Sequence, residues 1–337
     1  MKIDFFTHNP DNNSGSYRIW IRDLSRSLNE IGHTSRVLVG DTTIDRVDSD
    51  VIILGKSSYL SSSEIRKLFK DAKIGAINIP KDHVDDNIDF VIVGSLEEMC
   101  SMSEYDNIFI YPLIEREFEN IAIKKHNESD KLRICFHGHY PHLAKFEPSL
   151  RQAIDNIAED IKVDIVVIAG GIPKDFHWIV GRPLKANIEV HQYKLETVSK
   201  HIQSCDVGVV PNVTDVMARV PQFKDITSVD QGLYETDYCL RFKNKTNGGR
   251  AYVFYQHGIP VIHDMSPSSF EFMTQAESHI FAHDTISWEK SLRKLLDHEY
   301  RNKIAQINYN TFKEKYNPLE YAKKLVNFIE DVLCKKR

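Results

Sequence analysis

The sequence predicts an α/β protein built of two doubly wound domains that face a central cleft. Three observations predict it. Short apolar runs alternate with segments of helical spacing from the first residues onward; a polar, charged stretch interrupts that alternation; and a second series of the same kind follows. At roughly 100–200 residues per domain, a chain of 337 residues suits two domains. The expected division is 1–128, 129–317 and a terminal helical piece, 318–337.

In the first series Lys2–Thr7 reads as a strand, His8–Ser16 as a polar loop containing Gly15, and Tyr17–Ile31 as a helix. Ile19, Trp20, Leu24, Leu28 and Ile31 stand there at helical spacing before Gly32. Thr34–Val39 and Val51–Leu54 follow as strands, Ser63–Lys70 as a helix, and Lys73–Ile79, Asp89–Val93 and Ile108–Tyr111 as strands. Val51–Leu54 is apolar at every position, as strands are when both faces of a parallel sheet are covered. Glu115–Lys131 is polar and charged and reads as the interdomain linker. The second series has strands at Leu132–Phe136, Val163–Ala169, Ile188–His191, Asp206–Val210 and Pro260–His263. Its helices are Pro148–Ile157, one closing at His201–Ser204, Arg250–His257, Ser287–Leu296 and Glu299–Tyr316. Val213–Phe242 has weak periodicity and reads as a long loop. Pro318–Leu333 is an amphipathic helix with Leu319, Ala322, Leu325, Phe328, Ile329 and Val332 on one side.

Composition narrows the function classes. With 42% hydrophobic and 27% charged residues the chain is neither disordered nor a small disulfide scaffold. A net charge of −5 gives no overall drive toward nucleic acid. The five cysteines (Cys100, Cys135, Cys205, Cys239, Cys334) are odd in number and form no CxxC, so they read as buried hydrophobes or incidental thiols in a reducing cytoplasm. No apolar signal region opens the chain and no stretch approaches the roughly 18 apolar residues of a membrane span. The expectation is a cytoplasmic protein.

Ligands of doubly wound sheets sit beyond the carboxyl ends of the strands, and that rule selects the polar residues worth weighing. The loop His8–Arg18 lies at such an end and leads into a helix, whose first amides could hold an anion with Gly15 allowing close approach; an ordinary loop capped by Ser14 or Ser16 is the alternative. Tyr17 and Arg18 stand one turn in, where they could face the cleft. Asp82 and His83 follow another strand and could serve as a base or contact on the acceptor side, or could be a solvated turn. His137, Gly138 and His139 end the first strand of the second series, with His142 and Lys145 shortly after. Their imidazoles could belong to a metal site, but no Cys or carboxylate stands at ligand spacing, so a Gly turn aimed at an anionic ligand reads better. Arg241–Arg250 carries four cations, with Asn247, Gly248 and Gly249 at a helix start, which makes a site for phosphate groups. Asp48-Ser49-Asp50 matches a metal–nucleotide pattern but precedes its strand, at the wrong end for a ligand.

With those pieces in order, the chain resembles the GT-B glycosyltransferases, most nearly the family 4 pattern. Ser14-Gly15-Ser16-Tyr17-Arg18 … Gly32-His33 looks like the family's N-terminal segment, and Phe136-His137-Gly138-His139 … Lys145 like the opening of its donor domain. Cys205–Pro211 matches a further strand, Gly249-Arg250 … Gly258-Ile259-Pro260-Val261-Ile262 the helix and strand after it, and Glu271 a following glutamate. Pro318–Leu333 is similar to the terminal helix that crosses back to the N-domain. The family's arginine before the donor-domain lysine is here His139, and its paired glutamates fall on Lys245 and Val253. Cations thus replace acids, as in divergent surface-polysaccharide transferases.

The resemblance implies two Rossmann-like domains, and transfer of a sugar from a nucleotide-sugar donor to a glycan or lipid-linked acceptor, retaining and without a bound metal or cofactor. It implies catalytic roles for Lys145, Lys245, Arg250 and His83. Donor contacts would come from Gly15, His137, Gly138, His139, Asn247, Gly248, Gly249 and Glu271, and acceptor contacts from Tyr17, Arg18 and Asp82. Nucleic acid is not an expected partner. A peripheral contact with the inner face of a membrane would suit lipid-linked acceptors, with the basic tail Lys335-Lys336-Arg337 as the sequence feature to weigh. A sugar-nucleotide epimerase of the same architecture and a catalytically inactive binding or scaffold subunit are the alternatives.

Overall fold

The computed structural model describes residues 1–40, 48–102, 104–212, 248–264, 266–276, 278 and 280–334, apart from the side chains at 81 and 275. The chain forms two compact units. One contains Met1–Asn120, Asn247–Tyr252 and Phe312–Arg337, the other Ile121–Thr246 and Val253–Thr311. No helix among the described residues is long and apolar enough to cross a membrane.

The first unit holds a six-stranded sheet in the order β2-β1-β3-β4-β5-β6, with every pairing parallel. The strands are β1 Ile3–Thr7, β2 Val37–Val39, β3 Val51–Leu54, β4 Lys73–Ile77, β5 Phe90–Val93 and β6 Ile108–Ile110. Alternate residues of each strand point to opposite faces, and both faces are covered. Phe5, Ile53 and Ile92 pack with Trp20, Leu24 and Leu28 on one side. Phe6, Ile52 and Leu54 meet Ile65 of the helix Ser62–Leu68 on the other. The helix Pro318–Cys334 lays Ala322, Leu325, Val326, Ile329 and Val332 into the first of these clusters, so the C-terminal helix belongs to the N-terminal unit. Burying each of its branched aliphatics contributes about 1.5–3 kcal/mol.

The helix expected at Tyr17–Ile31 starts at Gly15. It runs as an α-turn Gly15–Tyr17, a π-helical stretch Arg18–Asp23 and an α-helix Leu24–Glu30. The wider π turn buries five of its six residues, Arg18 and Asp23 among them. Asp4, wholly buried in β1, is satisfied by Arg36 Nη2 at 2.7 Å and Ser49 Oγ at 2.6 Å. Asp48 accepts from Lys2 Nζ at 2.5 Å and Asp50 from the Lys2 amide at 2.8 Å. The Asp48-Ser49-Asp50 motif is therefore committed at the amino edge of the sheet.

The second sheet runs β12-β11-β10-β7-β8-β9, again parallel at every pairing. Its strands are β7 Lys131–His139, β8 Lys162–Gly170, β9 Asn187–Gln192, β10 Val207–Val210, β11 Val261–Asp264 and β12 Phe281–Ala282. The sequence reading missed β12 and the helices Leu96–Cys100 and Pro267–Ala276.

Beside the expected division at 128/129 and 317/318, the compact units change over at 120/121 and 311/312, with Asn247–Tyr252 also in the first. Of the stretch expected as a linker, Ile121–Lys131 is stitched into the second unit. Lys124 Nζ pairs with Asp206 at 3.1 Å, His126 Nε2 donates to the Gly258 carbonyl at 2.9 Å, and Asn302 Oδ1 accepts from the His126 amide at 2.8 Å. Burial works against the Asp206 carboxylate, but His126, Lys124 and the Arg133 amide together hold it well below the usual carboxylate range. A charged sequence signalled solvent here, and the chain uses the charges on one another.

Candidate functional site

Each sheet has one place where strand order reverses, the position at which open α/β sheets bind ligands. In the first sheet it lies between β1 and β3. Polar residues stand at the ends of both strands, Thr7-His8-Asn9 at β1 and Lys56-Ser57 after β3. A cavity of about 420 Å³ opens there, walled by these residues and, from the helix start, by Ser14, Ser16, Tyr17 and Ile21. Thr7 Oγ1 accepts from the Asn9 amide at 3.2 Å, which fixes the loop beyond β1. The His8 ring stands edge-on to Phe6 with centroids 4.9 Å apart.

Of the candidates in this unit, Gly15 begins the helix and Tyr17 lines the cavity. A Cβ on Gly15 would meet only Ile19 and Arg18 side-chain atoms, at 3.9 and 4.0 Å, so protein packing does not demand glycine there. Arg18 departs from expectation. Its side chain is buried, Nη2 and Nε donate to Glu115 at 2.6 and 3.1 Å, and Nη1 donates to the Asn12 carbonyl at 2.7 Å. Burial pushes the Glu115 carboxyl up and the Arg18 guanidinium holds it back. Arg18 braces the loop from beneath. Asp82 and His83 lie in the short turn Lys81–His83, both exposed, with the His83 ring 5.4 Å from that of Tyr59 and Nε2 3.7 Å from Asp82. Neither lines the cavity.

In the second sheet the reversal lies between β7 and β10. Candidates His137, Gly138 and His139 end β7 at this point. His137 is buried, its ring edge-on to Phe254 at 4.8 Å. Gly138 has φ +146°, a conformation that L side chains rarely adopt, and the chain then winds into the 3-10 turn Tyr140–Phe146 that carries Lys145. His139 is exposed, 5.3 Å from the Tyr140 ring, and Gly171 beyond β8 lies beside its Nε2. The ends of β10 and β11 are tied together: Asp264 Oδ2 accepts from the Asn212 amide at 3.1 Å, and Ser269 Oγ donates to the Asp264 carbonyl at 3.2 Å.

The helix Gly249–Gln256 begins immediately after Gly248, whose carbonyl accepts from the Ala251 and Tyr252 amides at 2.9 and 3.1 Å. A Cβ at Gly248 would fall 2.5 Å from the Tyr252 ring, so glycine is required there by packing. Desolvation brings the Arg250 guanidinium down to about 10, which leaves it cationic at neutral pH. Glu271 is exposed on the helix Pro267–Ala276. Lys245, Asn247, the stretch 213–242 and the tail 335–337 lie outside the described residues.

No family model matches the chain, and no curated protein matches it in sequence. Solved structures match along its whole length. Sucrose-phosphate synthase from Thermosynechococcus elongatus aligns with a TM-score of 0.65 at 11% identity over 98% of both chains. A glycosyltransferase from Rickettsia africae gives 0.62 at 12% identity over 99% of both. Anabaena HepE, in complex with UDP-glucose, gives 0.59 at 7% identity over 98% of this chain and all of its own. The fold is GT-B. At these identities the likeness is one of fold.

In this GT-B chain the sequence reading found the end of β7 and the start of the helix at Gly249. It missed Lys56 and Ser57, although the signal was present: an apolar strand, Val51–Leu54, ending in Gly55-Lys56-Ser57. What could not be read was that β3 lies beside β1, which is what brings Lys56 and His8 to one cavity.

Proposed function

We propose that the chain is a glycosyltransferase that moves a sugar from a nucleotide-sugar donor to a hydroxyl of a glycan or lipid-linked acceptor, with retention and without a bound metal. Cell-surface polysaccharide synthesis, at the cytoplasmic face of a membrane, is the setting that suits such acceptors. The observation that carries the reading is the full-length likeness in fold to glycosyltransferases, together with a neighbour of the same fold that holds UDP-glucose.

The chemistry of the residues proposed for the donor supports it. A nucleoside diphosphate leaving group gains negative charge as the glycosidic bond to phosphate breaks, and preorganised cations and amides stabilise that charge best. Lys145, Arg250 and the first-turn amides after Gly248 are of that kind, and Lys245 would add a further cation. In a retaining reaction the leaving phosphate can take the acceptor proton, so no strong protein base is needed; His83, on its exposed turn, is the residue for a base if one acts.

A thermal-shift series with UDP, GDP, CMP, dTDP and ADP, each with and without EDTA, tests the reading. One nucleotide is expected to raise the melting temperature equally in both conditions. No response to any of them overturns the donor assignment, and a response abolished by EDTA overturns metal independence. Arg250→Ala is expected to lower turnover by roughly 10²–10³-fold while shifting the unfolding midpoint far less; wild-type turnover in that variant removes Arg250 from the site.

A further inference from the structure

We propose that the cavity at the carboxyl edge of the first sheet is an acceptor site for an anionic saccharide, one bearing a phosphate or a carboxylate, and that Lys56 reads its charge. The inference rests on the glycosyltransferase reading above.

At about 420 Å³ the cavity falls within the roughly 300–1,000 Å³ of small-molecule sites. Its walls are unusually rich in hydroxyls: Thr7, Ser14, Ser16, Tyr17 and Ser57. A hydroxyl both donates and accepts, so such a wall can match sugar hydroxyls in either sense. Ser14 stands at the helix N-cap position without its side chain capping the helix, which leaves Oγ to the cavity. Among the described residues that line it none is a carboxylate, and Lys56 is the one of fixed charge. Elsewhere in the unit several buried or half-buried cations meet carboxylates: Arg18 meets Glu115, Arg66 and Lys73 meet Asp89, and Arg116 meets Glu30 and Glu119. Lys56 is exposed and, among the described residues, has no hydrogen bond or ion pair.

A second observation concerns how Lys56 is held. Gly55 before it is pressed against the helix, where a Cβ would stand 2.5 Å from Ile21 Cδ1 and 3.1 Å from the Phe6 carbonyl oxygen. Ser57 after it has φ +74°, a left-handed conformation that favours glycine and strains serine. Such outliers persist where the surroundings impose them, and they gather at ligand sites. A backbone anchored on one side and turned sharply on the other presents the intervening lysine at the rim. An ammonium set among hydroxyls, with no acid paired to it among the described residues, discriminates for a ligand that brings its own negative charge.

The test is calorimetric titration of the full chain, in the presence of UDP, with glucose, glucose 6-phosphate and glucuronate, repeated on Lys56→Gln and Lys56→Arg. At least one charged sugar is expected to bind roughly ten-fold or more tightly than glucose; the two charged arms distinguish phosphate from carboxylate. Lys56→Gln is expected to erase the preference and Lys56→Arg to keep it, with UDP affinity the same in all three proteins. Equal affinity for charged and neutral sugars, no binding of either charged sugar at millimolar concentration, or a preference that survives Lys56→Gln overturns the proposal. A loss of UDP affinity in Lys56→Gln also overturns it, by giving the cavity to the donor phosphates. A wild-type chain that binds no nucleotide yet selects the charged sugar through Lys56 refutes the transferase reading alone, so the two fail separately.

Discussion

At Arg18 the sequence suggested a cation for the ligand, and the structure gives that cation to Glu115 in the core. Breaking one side of such a pair strands a buried charge, so Glu115→Ala is expected to destabilise the protein by about 3–5 kcal/mol, whereas Arg18→Met with Glu115→Leu recovers most of the loss. Urea denaturation of the wild type and the two variants checks it. His257 offers a pH test. It is fully buried, with Nδ1 donating to the Val253 carbonyl at 2.7 Å and Nε2 accepting from Ser199 at 3.0 Å, and burial lowers it to about 4. The unfolded chain, with a histidine near 6.5, takes up the proton first. Its stabilising contribution is therefore complete above that value and lost as pH falls from about 6.5 toward 4. Between pH 7.5 and 5 the wild type is expected to lose about 2 kcal/mol that His257→Gln does not. Asp206 is ionised in both states across that window, so it does not blur the comparison. Both residues could be named from the sequence, but neither partner could, because Ser199 and Glu115 lie 58 and 97 residues away.

Among the elements, β10 shows how close packing rests on a single missing side chain. A Cβ on Gly208 would stand 2.6 Å from the Phe254 ring, so Gly208→Ala is expected to cost about 1–3 kcal/mol by overpacking β10 against the helix Gly249–Gln256. Differential scanning calorimetry of that variant, beside a Gly170→Ala control where nothing lies within 4 Å, checks it. The helix Pro318–Cys334 was legible as an amphipathic element from its 3.6-residue spacing. Ile329→Ala is expected to cost about 2–5 kcal/mol and to lower hydrogen-exchange protection in β1 while leaving β8 unchanged; equal loss in both strands would contradict its assignment to the first unit. Strand cores such as Val51–Leu54 were legible to the residue. Boundaries that depend on pairing were not: β2 shortens to Val37–Val39 because only those residues find partners in β1, apart from an isolated bridge between Lys2 and Thr34.

For the whole molecule, the sequence by itself determined the α/β class, the two parallel sheets and the amphipathic helix at the end of the chain. Those follow from local periodicity, and covering both faces of a parallel sheet forces the apolar runs that announce it. It also marked the carboxyl end of β7 and the glycines before the helix at Gly249, because tight turns and close backbone approach leave few residue choices. Only the tertiary structure decided which charges are available to a ligand. Arg18, Lys124 and Arg133 are all cations on the page, yet carboxylates distant in sequence take each of them, at Glu115, Asp206 and Glu189. Strand order was likewise beyond the sequence, since a loop does not record which edge its strand will join. The pairing of β1 with β3 is what joins the loop after β1 to the unremarked loop after β3 in one cavity with Lys56 at its rim. Helices and strands are local solutions of the chain, whereas a site is where distant segments meet, and burial settles which of their charges are spent on the fold.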